Sequence, residues 1–444
     1  MGTSSSTKRK LSFSSTFEEC YHTFVHHLNE ESKADDRGSF GRVVVMHKNN
    51  KELFKFQEQN TKQTMTSLLF EFVMQHVAAK RGVAPVPKVF VSVCGAHTGR
   101  APYSGIQQER LFGTPADVLI HRMFDFVTYS GPLCDGTEYE DAAHDVRWRT
   151  APAFHALFQV PDDNWNDIRL TTAGASMFAS LRSSIATLHE EMAHMDLHMG
   201  NVWVNHDSIT PMRSSDKLRV SIIDFGMAVP LNGPSEKDHA SATVHGSLTE
   251  DHAAAWIRDQ NDTATFVLST IRYALESMSY VVMLPAPTHL KTQVWARMYC
   301  VILCMMGVTW PSGRPTKNSH HQRILDILKD ISPPARPISS PAIAVAQRKL
   351  ETLRRSIHSS RTGTRRAWIE RTLSPPAEHP SPTTSRQSVP FVPTCTVQHT
   401  KGKNSSPIVR RLLVFLQMHG LGWKQRRVDN GCTVTRVKSK HRMS

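Results

Sequence analysis

Residues 194–204 read HMDLHMGNVWV, and residues 221–229 read SIIDFGMAV. In the first segment Asp196 is followed five residues later by Asn201, and in the second Asp224 stands directly behind an apolar strand. Phosphoryl transfer from a nucleoside triphosphate needs such a set, with a carboxylate beside a hydroxyl nucleophile and two oxygen ligands for Mg²⁺. The two segments therefore indicate a phosphotransfer site, provided that the fold brings them together.

The chain between the two segments predicts how they meet. The polar stretch 205–218 joins two apolar strands, and two strands with such a connection form a β-hairpin. This hairpin would place Asn201 beside Asp224. Asp196 lies on the loop before the first strand, and loops often carry catalytic groups. Each residue alone could be an ordinary turn residue, so the prediction depends on their combination.

A glycine-rich stretch, DDRGSFGRVVV, occupies residues 35–45. Gly38 and Gly41 flank Ser39 and Phe40, which allows a tight hairpin whose backbone N–H groups can approach phosphates. Taken alone, such a stretch is more often an ordinary hairpin than a phosphate loop.

A lysine follows in the alternating strand 52–56. Phe54 and Phe56 share one face of this strand, so Lys55 projects from the other face and could enter a cleft. Glu71, in the helix predicted next, could supply its carboxylate partner. A lone strand lysine is otherwise a solvated edge residue.

The bulk composition describes a globular protein with a basic end. The 444 residues are 39% hydrophobic, enough for one large or two modest domains. The seven cysteines form no CxxC pair, so neither a disulfide framework nor a zinc site is indicated, and a reducing intracellular compartment is expected. The apolar run Met298–Trp310 has 13 residues, too few to span a bilayer, and predicts a buried helix.

The order of predicted elements indicates an α+β fold. Strands are predicted around the turn at 49–50, over 86–93 and over 117–127, with a helix over 66–82 between them. From residue 170 onward the helical period dominates, and 175–192 is predicted as the longest helix. A β-rich part followed by an α-rich part suggests two lobes.

Three regions follow from composition. Residues 1–34 are predicted to be a disordered arm with a helix over 17–28, and residues 35–357 a folded domain. Residues 358–444 form a basic tail with seven prolines between 375 and 407, predicted to be disordered. Residues 359–444 carry 16 Lys and Arg against 3 Asp and Glu, so they hold +13 of the net charge of +14.

These segments, in this order over roughly 35–357, resemble the eukaryotic-type protein kinase superfamily. The resemblance implies a two-lobed kinase-like fold, with lobes of about 35–126 and 127–357. Such a fold binds ATP and Mg²⁺ and phosphorylates Ser or Thr of a protein substrate. Asp196 would be the catalytic base, and Asn201 and Asp224 would hold Mg²⁺. The ATP-binding residues that it implies are Gly38, Ser39, Phe40, Gly41, Val43, Lys55, Glu71, Phe124 and Phe126.

Two further implications concern segments away from the phosphates. Residues 123–126, MFDF, resemble the hinge that holds adenine. Glu250 resembles the glutamate that ends the activation segment, Arg336 its ion-pair partner, and Asp262 the buried aspartate that braces the catalytic loop. Glu250, Asp262 and Arg336 belong to the part of kinases that binds protein substrates.

The sequence also departs from the family pattern. Asp36 replaces the first glycine of the phosphate loop, and Leu53 replaces the alanine that lies over adenine. Met195 replaces the arginine of the HRD motif, which speaks against activation by loop phosphorylation. His198 stands where Ser/Thr kinases keep a lysine. The degree of divergence resembles kinases of large DNA viruses, herpesviruses among them.

Two other functions remain open at this stage. DLHxGN also occurs in small-molecule phosphotransferases of the kinase fold, and a catalytically weak or dead scaffold would keep the same architecture. Against the scaffold, Lys55, Asp196 and Asn201 are all present. Against the small-molecule enzyme stand the residues that resemble the protein-substrate region.

The two ends of the chain suggest partners and a location. The basic tail is expected to bind an acidic partner, such as a nucleic acid, or only to solvate the chain. MGTSSS fits the pattern for myristoylation of Gly2, followed by the basic run 8–10, so membrane attachment is an alternative to a nuclear or cytoplasmic location.

Overall fold

In the computed structural model the chain is described at residues 22–26, 37–38, 41–45, 51–58, 65–93, 103–124, 152–161, 164, 167–206, 212–231, 253–283, 288–310, 319–332, 340–373, 416–417, 419–429 and 432–439. Helices and strands are mixed along these residues, in agreement with the expected α+β class.

The strands form one large sheet and three small ones. The large sheet has seven strands in the order β1-β2-β3-β5-β4-β14-β13, and the small sheets are β11-β10-β6, β12-β9 and β7-β8. The strand bounds are β1 Arg37–Gly38, β2 Gly41–Val45, β3 Glu52–Glu58, β4 Pro87–Val93, β5 Tyr103–Glu109, β6 Gly113–Pro115, β7 Phe158–Gln159, β8 Arg169–Leu170, β9 Met192–Ala193, β10 Val202–Asn205, β11 Arg219–Ile222, β12 Val229–Pro230, β13 Leu421–Asp429 and β14 Cys432–Ser439.

The three longest helices lie in the second half of the chain. Their bounds are α1 22–26, α2 Met65–Lys80, α3 Ala116–Phe124, α4 Pro152–Leu157, α5 Thr172–Leu188, α6 253–258, α7 Asn261–Met283, α8 Thr288–Thr309, α9 His320–Lys329 and α10 Ser340–Leu373. The predicted helix at 175–192 corresponds to α5, but with 17 residues it is shorter than α10, which has 34. The prediction that it is the longest helix was wrong.

The predicted hairpin of β2 and β3 is confirmed, and it sets the direction of Lys55. Val43 pairs with Lys55 across the two antiparallel strands, so both side chains share one face. Phe54 and Phe56 occupy the other face and are fully buried there against Phe24 of α1, with ring centroids 5.7 and 4.8 Å away. The alternation of the strand therefore buries aromatic rings on one side and presents the lysine on the other.

Helix α2 is buried on nearly all sides, which its amphipathic prediction did not anticipate. Every residue from Leu68 to Ala78 is buried, since the large sheet covers one face of the helix and other elements of the core cover the rest. Gln75 donates to the backbone O of Pro85 (3.0 Å) and to Gln108 (2.9 Å). Gly82 ends the helix with a positive φ of 75°, the conformation that glycine adopts most easily after a helix.

The strand predicted over 117–127 was wrong. Residues 116–124 form helix α3, with Leu119, Ile120 and Met123 buried at helical spacing. The run Val118–Ile120 favours a strand by intrinsic propensity, but a tertiary environment that buries one helical face overrides it.

The prediction that the whole tail is disordered was also wrong. Helix α10 continues across the predicted boundary at residue 358, and β14 pairs antiparallel with β4, joining Val434 to Val91. The sequence carried a signal for this hairpin, because the paired Asp429 and Cys432 are separated by Asn-Gly, the dipeptide most typical of two-residue hairpin turns.

Helix α8 contains the apolar run that was predicted to be a buried helix, and this prediction is confirmed. Met298, Val301, Ile302, Met305 and Met306 of this helix are buried. In the described part of the chain, no helix combines the length and the hydrophobicity needed to cross a membrane.

We expect strand β14 to contribute to stability. Val434 is fully buried, so Val434→Ala should lower the free energy of unfolding by about 2 kcal/mol, because a buried side chain is truncated and a cavity remains. The exposed Lys424→Ala on β13 is the matched control and should change it by less than about 0.5 kcal/mol. Chemical denaturation of both variants measures the difference, and equal values would show that the hairpin does not pack on the sheet.

Helix α2 should also make stability depend on pH. Burial lowers the pKa of His76 to about 3, and its Nε2 atom has no hydrogen-bond partner among the residues that the structure describes. In the unfolded chain the histidine takes up a proton below about pH 6.5. The unfolded state therefore binds more protons, and stability is lost as the pH falls from about 6.5 toward 3.

The variant His76→Phe should remove this loss. At pH 4.5 the histidine is expected to cost about 3 kcal/mol of stability relative to pH 7, and the variant should lose that much less over the same interval. Urea unfolding at the two pH values measures the difference. A variant with the wild-type pH dependence would contradict the burial of His76.

Candidate functional site

Lys55 of β3 contacts carboxylates from two other elements, helix α2 and the segment that follows β11. Its Nζ atom lies 2.6 Å from Oε1 of Glu71 on α2 and 3.1 Å from Oδ1 of Asp224, which follows β11. The lysine and glutamate side chains are 16% and 7% exposed, whereas that of Asp224 is 37% exposed. Asp224 is thus the member of this triad that remains accessible to a ligand.

The triad favours the ionised forms of Lys55 and Asp224. Burial alone would lower the pKa of Lys55, but the attraction of Glu71 and Asp224 outweighs it and raises that pKa above its ordinary value. Burial would likewise raise the pKa of Asp224, but the charge and hydrogen bond of Lys55 lower it. A fixed cation beside an exposed carboxylate suits the binding of phosphate together with a metal ion.

Asp224 has a strained backbone. Its φ of 61° and ψ of 70° lie in the left-handed region, which non-glycine residues seldom adopt. A Cβ atom on the following Gly226 would lie 3.3 Å from Oδ1 of Asp224, so a side chain there would press on this carboxylate. Strain of this kind persists only where the surroundings hold it, and it is common at functional sites.

The hairpin predicted to join Asn201 and Asp224 is confirmed. Strands β10 and β11 are antiparallel, and the backbone N–H of Ile223 donates to the carbonyl of Asn201 at 3.0 Å. The Asn201 side chain is nearly buried and its Nδ2 donates to the carbonyl of Asp196 at 2.9 Å. Since Nδ2 is used in this bond, the amide oxygen of Asn201 remains as an acceptor for a cation.

The turn before Asp196 is held by the carboxylate of Asp262 at the start of α7. This carboxylate is fully buried and accepts the backbone N–H groups of His194 (3.0 Å) and Met195 (2.9 Å). Trp256 donates to it from its indole at 3.0 Å, and His189 lies 2.9 Å from its second oxygen. Burial raises the pKa of Asp262, but these donors and the nearby histidines lower it below its ordinary value.

His194 connects the two halves of the site. Its Nδ1 accepts the backbone N–H of Asp196 at 3.3 Å, and its Nε2 lies 3.0 Å from the carbonyl of Ile223. Because a carbonyl only accepts, Nε2 carries the proton and the ring bridges the two segments. The ring also contacts that of Phe225, with centroids 5.2 Å apart.

A short 3₁₀ turn, Met199–Asn201, completes the loop. His198 caps it, with Nδ1 accepting the N–H of Gly200 at 3.0 Å, and Met199 donates its N–H to Ser269 of α7 at 3.1 Å. A Cβ atom on Gly200 would lie 2.9 Å from the His198 ring and 3.5 Å from Oδ2 of Asp117. The close approach of these side chains explains the glycine.

The predicted phosphate loop is described only in part. Gly38 and Gly41 pair with each other across β1 and β2, as expected for a hairpin, whereas Ser39 and Phe40 lie outside the described residues. Val43 is 40% exposed on the face of the sheet that carries Lys55. Leu53 of β3 lies on that face too.

The adenine-binding hinge predicted at 123–126 is described only in part and stays a prediction. Phe124 is the last residue of helix α3, and its side chain is not described. Phe126 lies outside the described residues. The connection between β5 and β6 is residues 110–112, and it is this segment that leads from the large sheet to α3. The predicted ion pair of Glu250 with Arg336, and Asp36 of the phosphate loop, also lie outside the described residues.

The oxygen donors fit Mg²⁺ that binds together with a nucleotide. Within the described ranges, His, Cys, Asp and Glu side chains form no group of three or more that could enclose a metal ion. Mg²⁺ does not need such a group, because it usually takes one or two protein carboxylates and completes its octahedron with phosphate oxygens and water. Asp224, with the amide oxygen of Asn201, supplies a suitable protein share.

Several supporting residues were missed by the sequence reading. His189 and Trp256 bond to the Asp262 carboxylate that holds the turn before Asp196, and Ser269 accepts the backbone N–H of Met199 in the loop after it. No local pattern marks them, because their roles arise only when α5, α6 and α7 converge.

Comparisons with known proteins assign no family, so any assignment of function rests on the residues described above. No model of a known protein family matches the sequence, and a search of curated proteins gives no significant match.

Proposed function

We propose that the chain is an ATP-dependent phosphotransferase, and most specifically a serine/threonine protein kinase with a two-lobed kinase-like fold. One observation carries the proposal: Lys55 joins Glu71 and Asp224 in a single ionic triad at 2.6 and 3.1 Å. The triad places a fixed ammonium group beside the accessible carboxylate of Asp224, which supports binding of phosphate together with a metal ion. The resemblance of the surrounding motifs supports the same assignment.

Each residue has a role that follows from its position. Lys55 would neutralise phosphate oxygens, and Glu71 would keep its ammonium group in place. Asp196 would orient the acceptor hydroxyl and accept its proton. Mg²⁺ held by Asn201 and Asp224 would supply charge neutralisation of the phosphates when the nucleotide is bound.

The backbone supports these roles by fixing the site before the substrate arrives. Asp262 holds the turn that precedes Asp196, and His194 ties that turn to Ile223 beside Asp224. Groups that are already positioned need no reorganisation during the reaction, which is the main source of catalysis in phosphoryl transfer.

The catalytic assignment predicts large losses of activity. Asp196→Ala and Lys55→Ala should each slow transfer of labelled γ-phosphate from ATP to a protein substrate by at least about two orders of magnitude, roughly 3 kcal/mol of barrier. Asp326→Ala is the control, since this carboxylate lies on the surface of α9 with 56% exposure. It should retain wild-type activity.

The remaining functions are distinguished by the molecule that accepts the phosphoryl group and by whether bound Mg²⁺ and ATP are turned over. Near-wild-type transfer by a folded Asp196→Ala protein would exclude this site. Transfer to small molecules but never to protein would favour a small-molecule kinase of the same fold. A wild-type protein that binds Mg²⁺ and ATP without turnover would favour a scaffold.

A further inference from the structure

The end of helix α2 is tied to the base of the catalytic turn by an ion pair. Arg81 directly follows α2, and its Nε donates to Oε1 of Glu191 at 2.8 Å, while Nη2 donates to the same oxygen. Glu191 lies between α5 and β9, five residues before Asp196. Two donors from one guanidinium fix orientation as well as distance.

The surroundings of Glu191 shield most of its side chain from solvent. Its side chain is 11% exposed, whereas that of the neighbouring Glu190, whose carboxylate lies 3.9 Å from Arg81, is 62% exposed. The backbone carbonyl of Glu191 accepts the N–H of Leu231, just after β12. Glu191 therefore holds the chain on both sides of the site, before Asp196 and after Asp224.

The C-terminal segment, residues 416–439, completes the contact. Its His419 places Nδ1 3.4 Å from the second carboxylate oxygen of Glu191, and Lys80 donates to the carbonyl of His419. Gly420 forms the adjoining turn with a positive φ of 69°. Leu416 and Leu421 are buried on either side of the turn.

Helix α2 can transmit this contact to Lys55. Glu71 and Lys80 are nine residues apart, about 14 Å along a helix that is packed on nearly all sides and so moves as one body. The turn after the helix is also fixed to β11, since the carbonyl of Val83 accepts the N–H of Ile222 at 2.7 Å. A displacement at Arg81 would therefore shift Glu71 relative to Asp224.

We propose that Arg81 and Glu191, with His419 of the C-terminal segment, are positioning residues that hold α2 where Glu71 reaches Lys55. The inference rests on the proposed phosphotransfer, to which it adds a dependence on the C-terminal segment. The segment acts in cis, as a brace on the helix that carries the partner of Lys55. None of the three residues touches the reacting groups.

A charge swap tests the pair in the full-length protein. Arg81→Glu and Glu191→Arg should each lower γ-phosphate transfer about tenfold, and amide hydrogen exchange in residues 65–80 should become about tenfold faster. The double variant Arg81→Glu with Glu191→Arg should recover both. Glu190→Gln is the matched control and should match the wild type in both measurements.

A second test addresses the contact made by the C-terminal segment. Gly420→Ala places a Cβ atom at a positive φ and 3.4 Å from Nζ of Lys80, so it should also accelerate exchange in 65–80. Gly307→Ala on α8 is the control, because a Cβ atom there meets nothing within 4 Å.

Hydrogen exchange separates this inference from the proposed function. A wild-type protein without phosphotransfer would remove the proposed function, while exchange in α2 would still decide whether the brace exists. Unchanged exchange in both single-charge variants would overturn the brace. So would equal acceleration in α2 and in 261–283 of α7, or a double variant that fails to recover, since either result indicates only a general loss of stability.

Discussion

The candidate site depends on one buried carboxylate. Asp262 has no exposed surface, and an ionised carboxylate in that position is tolerated only when hydrogen bonds replace its water. Two of the donors are backbone N–H groups of the turn at 194–195, so satisfying the charge also fixes the turn. The position of Asp196 thus follows from the solvation of a residue 66 positions away.

Two left-handed residues show where this constraint acts. Met195 has a φ of 65° and Asp224 a φ of 61°, and each such conformation costs about 1–3 kcal/mol for a residue with a side chain. Met195 is held by Asp262 through its N–H group, and Asp224 by Lys55 through its carboxylate. His194 bonds to both strained segments, which makes the two halves of the site a single unit. The brace formed by Arg81 and Glu191 acts on the same unit from outside.

The sequence was informative where a pattern is local. Alternation placed Lys55 opposite Phe54 and Phe56, and the apolar strands around 205–218 gave the hairpin that joins Asn201 to Asp224. The sequence prediction failed at α3. The run Val118–Ile120 favoured a strand, although the buried residues of this segment have helical spacing. The resemblance had implied that Asp262 braces the catalytic loop, but the bonds of Glu191 could not be derived from any window of sequence, because they depend on how separate elements pack.

The pairing of β14 with β4 has a consequence for synthesis of the chain. Val91 finds its partner at Val434, so on the ribosome β4 keeps an open edge until almost the entire described chain has been translated. Long-range pairings of this kind close slowly, because a long loop must be ordered first. An open edge strand can meanwhile pair with other chains. The nascent protein is therefore exposed to such pairing from the time β4 folds until β14 has been translated, and chaperones that cover a sheet edge would act during this interval.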